Sequence, residues 1–359
     1  VSLAFKCHSF IRDLVGHDKN LSQTAYTDTM MYDFHDSIST VLAQLGTGLL
    51  NDAKTQAERL SNDEDSEALH DFRVSVRRLR SFLKSFEGFI KNAKKHRQRF
   101  SEVMTFTNAG RDNEVHIVWL KEYQTNANTL ERDGIDYLLE NLSSNDHIDL
   151  NEVKKQFMKA TEKLEDTFAK TVKKIEESFA TVTADVLETY GKDLQTLLSS
   201  IERPEDDTAT HDARITGKKL RYTLELLESK EAKTLVKRLK KFQDTAGDLH
   251  DLQVLEPKVQ TFLFAETVLW SQAFRDGSKT LSHTELSQLP ELQRSYGLAA
   301  VQRRLESEKT LLFQTLQKTW LGENSRDFFS DLGAFIETLG ANNQETAKPA
   351  KTRVKKVKN

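Results

Sequence analysis

The chain has 359 residues, 37% of them hydrophobic and 30% charged, with a formal net charge of −3. That is long enough for one large domain or two ordinary ones. Its single cysteine, Cys7, excludes an internal disulfide and a cysteine-based zinc site, and no apolar run of about 18 residues is present to cross a membrane.

Four prolines and 14 glycines leave few chain breaks, which favours long helices. Residues 1–27 have weak periodicity and read as a weakly ordered segment. Their opening apolar stretch is too short for a signal peptide. From 27 to about 60, Met31, Phe34, Ile38, Val41, Leu42, Leu45 and Leu49 recur at helical steps. The polar cluster SNDEDSE (61–67) supplies acids for the next helix start, and a basic helix follows over 66–87. Further helices are predicted at 91–108, 112–141, 150–178 and 180–201, with a loop at 143–147. Pro204 and the acids after it turn the chain into a second basic helix, 208–229. Helices at 231–246 and 250–264, a loop at 276–291, and helices at 293–321 and 326–338 complete the pattern. The basic end, 339–359, reads as disordered. No strand alternation is found, so the fold class is all-α.

The two basic helices carry one phrase. Residues 70–80 read HDFRVSVRRLR and residues 211–221 read HDARITGKKLR. Each is followed at a similar distance by a second match, AGRDNEV (109–115) and DLHDLQV (248–254). His70 to Asp112 is 42 residues and His211 to Asp251 is 40. A period near 140 residues is too long for a solenoid and suits two related halves of one fold. The totals conceal this footprint. Segment 70–100 holds ten Lys/Arg against Asp71 and Glu87, a net of +8. Segment 211–241 holds ten against Asp212, Glu225, Glu228 and Glu231, a net of +6. The rest of the chain therefore sums to −17.

With about 100° per residue, Arg73, Arg77 and Arg80 share an arc with His70, opposite Phe72, Val76, Leu79 and Leu83. His211, Arg214, Lys218 and Arg221 repeat the stripe. Like charges crowded on one arc repel, with few acids at i±4 to offset them. A solvated helix face mixes signs; a polyanion site does not. Arginine's planar fork donates two parallel hydrogen bonds to phosphate, and lysine acts as a point charge.

HDFRVSVRRLRSFLKSF and HDARITGKKLRYTLELLE, each followed by an [RH]-D-x-x-V element, resemble the CHAD family, the conserved-histidine α-helical domain. The resemblance spans about 28–338, with repeat one at about 28–200 and repeat two at about 205–338. It implies two related four-helix bundles with pseudo-two-fold symmetry that bind inorganic polyphosphate in a basic groove between them. The ligands it implies are His70, Arg73, Arg77, Arg78, Arg80 and Lys84 in repeat one, and His211, Arg214, Lys218, Lys219 and Arg221 in repeat two. Lys240 and Lys241 join them where repeat one has Ser101 and Glu102. No ExExK motif is present, so a fused triphosphate-tunnel domain is not expected.

Five His-Asp pairs, at His17, His35, His70, His211 and His250, raise the alternative of a metal-dependent phosphohydrolase of polyphosphate or nucleotides. The neighbouring arginines oppose a cation there, so no metal ligand and no catalytic residue is assigned, and nothing points to a cofactor. Trp119, Trp270 and Trp320 are not interleaved with the basic ladder, which makes nucleic acid a less favoured partner. The expected protein is a non-enzymatic polyphosphate binder, not inserted in a membrane and placed in the cytoplasm, with polyphosphate granules as one location.

Overall fold

The computed structural model describes residues 32–62, 64–108, 111–142, 148–170, 177–227 and 229–341. The expected weak order of 1–27, the 143–147 loop and most of the basic tail lie outside them. The described residues form helices α1 (Ile38–Arg59), α2 (Ala68–Ser85), α3 (Ala93–Asn108), α4 (Arg111–Thr125), α5 (Thr129–Leu142), α6 (Leu150–Lys170), α7 (Phe179–Ser199), α8 (Asp207–Leu224), α9 (Lys230–Gly277), α10 (His283–Ser287), α11 (Pro290–Thr319) and α12 (Arg326–Ala341). A single 3-10 turn, Gly322–Ser325, joins the last two. Among the described residues there is no strand, and no helix is long and apolar enough to cross a membrane.

The helix starts are written in the sequence. Ser37, Ser178 and Ser229 each accept a hydrogen bond from a backbone N–H three residues on, capping α1, α7 and α9. Two of these caps have a further relation. Ser37 and Ser178 are 141 residues apart, the same interval that separates His70 from His211, and each begins a Ser-x-x-Thr-Val phrase. The two caps touch. Ile38 N–H donates to Glu177 O (2.9 Å) and Phe179 N–H donates to Asp36 O (3.0 Å), a reciprocal exchange between equivalent positions.

Helices α1, α2, α3 and α6 close a ring of neighbours, and α7, α8, α9 and α12 close another. The rings join where α1 meets α7 and α2 meets α8. One continuous core runs through both. It is rich in phenylalanine, with Phe72 edge-on to Phe157 at 5.1 Å and Phe86, Phe100 and Phe179 fully buried. A second core gathers Trp119 and Leu120 from α4, Ile135 and Leu138 from α5, Leu252, Leu255 and Val259 from α9, and Leu298, Val301 and Leu305 from α11. Here α5 and α11 approach backbone to backbone: a Cβ on Gly134 would lie 2.2 Å from the carbonyl carbon of Gly297.

Five expectations change. The single helix expected at 112–141 is divided at residues 126–128 into α4 and α5. The first helix begins at Ile38 rather than near 27, because the Ser37 cap sets its start. The helices expected at 231–246 and 250–264 are one 48-residue helix running through Pro257. The 276–291 loop contains the short helix α10, held by a Ser282–Glu285 capping box. The last helix continues to Ala341, so residues 339–341 are helical rather than part of the tail. Helix α7, assigned by sequence to the end of the first repeat, packs against α8 and α12.

Candidate functional site

Each basic helix is 18 residues long and forms an antiparallel hairpin with the helix after it. In the first hairpin, Arg73 donates to the carbonyl of Thr107 and Arg80 donates to Ser101 Oγ at 3.1 Å. In the second, a Cβ on Gly217 would meet the ring of Phe242 at 3.0 Å, Arg214 Nε lies 3.7 Å from the Cβ position of Gly247, and the His211 ring sits 4.7 Å from that of His250. Arg73 thus meets α3 at Thr107, and Arg214 meets α9 at Gly247. The cationic stripe does not face open solvent. It borders the seam between each basic helix and its successor.

Two of the predicted ligands lie inside the protein. Arg73 is 5% exposed and Arg221 is 3% exposed. Arg221 stacks on Tyr222 at 4.7 Å and pairs with Glu225 at 3.2 Å. Glu225 also lies 3.8 Å from Arg78 of the other basic helix. These arginines hold the helices together from behind. The C-terminal ends of α2 and α8 meet through Ser85, whose hydroxyl is 3.1 Å from that of Thr223 and 3.3 Å from that of Tyr190. Lys219 stands 6.0 Å over the Tyr190 ring.

The half-buried cations are differently placed. Burial, then Arg77, then Arg97 lower the proton affinity of the Arg80 guanidinium, so three arginines crowd one volume. Arg80 Nε is buried with no hydrogen-bond partner, as is His211 Nδ1. Arg97 reaches Glu87 at 3.0 Å, and Lys84 reaches the same carboxylate at 3.1 Å. Those two cations hold the Glu87 carboxyl below its ordinary range, with Lys84 the larger cause. His70, Arg77, Arg214, Lys218 and Lys240 are all partly exposed. Lys241 is exposed and stands apart: it lines a cavity of about 650 Å³ with Arg238, Asp244, Arg304 and Trp320, between α9, α11 and α12.

Sequence reasoning does not select Arg97 or Tyr190. Arg97 falls in the basic segment, but it lies on α3, outside the repeated phrase. Tyr190 has no charge to attract notice. Only the folding of α3 and α7 onto the basic helices brings them in. The side chain of Asp112 lies outside the described residues, and Asp251 is half-buried on α9. Among the described residues no group of three or more His, Cys, Asp and Glu side chains is arranged to hold a metal ion.

The family model described as "CHAD domain" matches residues 44–260, which include both basic helices and the first part of α9. The crystal structure of the CHAD domain from the plant Ricinus communis is similar in fold. Its TM-score is 0.55 at 20% sequence identity, over 79% of this chain and 94% of that one. PptA from Streptomyces chartreusis aligns over 76% of this chain and 99% of its own, with 14% identity and a TM-score of 0.44. No curated protein sequence matches significantly.

Proposed function

The chain belongs to the CHAD domain family, and from that premise we propose that it binds inorganic polyphosphate, without turning it over, along a seam that runs over α2 and α8 and the helices that follow them, α3 and α9. The two halves are a duplication related by a pseudo-two-fold axis beside Ser37 and Ser178. The reciprocal hydrogen bonds of Ile38 and Phe179 support this, because exchange between equivalent positions is what a two-fold relation produces.

The observation that carries the reading is the crowding of cations around Arg80, which the carboxylate of Glu87, shared by Arg97 and Lys84, offsets only in part. Arg77 and Arg97 press on a half-buried guanidinium whose Nε has no partner. Like charges held this close are unfavourable until an anion is placed among them. A chain of phosphates suits the need, since it brings many oxygens spaced along a flexible line. His70, Arg77, Arg80 and Lys84 serve from one half, and His211, Arg214, Lys218, Lys219 and Lys240 from the other, with Arg97 added. Arg73, Arg78 and Arg221 keep the helices in position and act on the ligand through them. Lys241 belongs to a different face.

Calorimetric titration with polyphosphates of defined length tests this, with orthophosphate and duplex DNA as controls and with and without a chelator. Binding that survives the chelator and exceeds binding to DNA is expected. Each lost charged hydrogen bond is worth about 1.5–3 kcal/mol, so Arg77→Glu with Lys218→Glu weakens long-chain binding by well over tenfold. Loss of binding on chelation, or release of phosphate, turns the reading to a metal-dependent phosphohydrolase. Unchanged affinity in the folded double variant ends it.

A further inference from the structure

His96, on α3, is 3% exposed, yet it lines a cavity of about 630 Å³ whose lining includes neither Arg97 nor Glu87. The other walls are Lys91 and Asn92 from the turn before α3, Lys95 and Arg99 from α3 itself, and Lys163, Asp166 and Thr167 from α6. Four cations face one carboxylate. No titratable group of α2 or α4 lines this cavity among the described residues.

The hydrogen bonds fix the state of the ring. The Thr167 hydroxyl donates its one proton to the Lys163 carbonyl at 2.9 Å. Its oxygen then accepts from His96 Nε2, 3.4 Å away. The neutral ring therefore carries its hydrogen on Nε2, and Nδ1 is a buried lone pair with no partner. A buried acceptor needs a donor. A metal cation could use the lone pair, but Lys91, Lys95, Arg99 and Lys163 repel it. An anion is drawn by the same four charges, and it is held by Nδ1 only if the ring takes up a proton and Nδ1–H becomes the donor.

We propose that the His96 cavity is a second anion site, separate from the α2–α8 seam, which takes a phosphate group together with a proton. The chemistry fits free orthophosphate and the terminal group of a polyphosphate chain alike. The proton goes to Nδ1, the imidazolium Nδ1–H donates to a phosphate oxygen, and Arg99 and Lys163 neutralise the remaining charge. Burial, followed by the charges of Arg99 and Lys95, holds the empty site's imidazole down to about 4. A bound phosphate anion opposes the electrostatic part of that shift, so occupancy and protonation favour each other.

The test follows the His96 ring by nuclear magnetic resonance in the full chain through a pH titration, with chloride, orthophosphate or tripolyphosphate at matched ionic strength. With phosphate the midpoint rises by at least one pH unit, a tenfold preference of the anion for the protonated ring. Chloride leaves it in place. A rise with orthophosphate identifies the free ion; a rise with tripolyphosphate alone identifies the chain end. Lys163→Glu, on an exposed position, abolishes the rise. Arg77→Glu with Lys218→Glu preserves it, which separates this site from the seam. A midpoint that moves with neither phosphate, or that moves equally in the folded Lys163→Glu chain, overturns the proposal.

Discussion

Arg77 shows how one side chain can serve binding at the expense of the fold. After burial, its charge is the next cause that lowers the proton affinity of the neighbouring Arg80 guanidinium, and repulsion of this kind is relieved by anion or by mutation. Arg77→Gln is therefore expected to raise the melting temperature of the free protein while weakening polyphosphate binding about tenfold, read by calorimetry and thermal denaturation side by side. His96 supplies a second prediction. Its folded value, about 4, lies below the ordinary 6.5. The unfolded chain therefore binds the proton more readily, and stability is complete above about pH 6.5 and is lost as pH falls toward 4. Denaturant midpoints of the wild type should drop over that range, and those of His96→Gln should drop less. A wild type as pH-insensitive as the variant contradicts burial of a neutral imidazole as the cause.

At the scale of elements, the basic helices are legible in the sequence because their signal is chemical and occurs twice. Phe72, Val76, Leu79 and Leu83 line the core face of α2 as the periodicity requires. Arg73 and Arg221 look like open ligands in the sequence because a helical wheel reports which side a residue takes, not what covers that side. The hairpin with α3 covers Arg73, and Arg221 is buried against Tyr222 and Glu225. The break expected between 246 and 250 falls at Gly247, a residue that weakens a helix relative to alanine. In the fold it lies against Arg214 at the α8–α9 contact, and α9 runs on. The Ser-x-x-Thr-Val caps are inconspicuous because only three common residues and their interval mark them as a pair. The close contact of α5 and α11 gives the test at this scale. Gly134→Ala forces a Cβ to 2.2 Å from backbone that no side-chain rotation can move. The cost should be at least the roughly 1–3 kcal/mol usual for overpacking, seen as a lower denaturant midpoint at unchanged helical content.

Across the whole molecule, two cationic segments of net +8 and +6 are set in a remainder of −17. A ligand bound at the cationic seam displaces its own counterions. The logarithm of the polyphosphate association constant should thus fall steeply and linearly with the logarithm of salt concentration. A flat dependence between low and physiological salt contradicts multiple contacts. The acidic remainder should discourage polyanions from settling elsewhere on the surface. Helix α9 gives this charge layout a mechanical side. It extends about 72 Å at 1.5 Å per residue. Leu239, Phe242 and Ala246 are planted in one core, and Leu252, Leu255 and Val259 in the other. A beam fixed at both ends makes neighbouring cores share a fate. Opening either one loosens the beam, and clamping either one stiffens it. Amide hydrogens near Leu255 and Val259 should then exchange more slowly when polyphosphate occupies the distant seam, and α5 and α11 should register a ligand that they never touch.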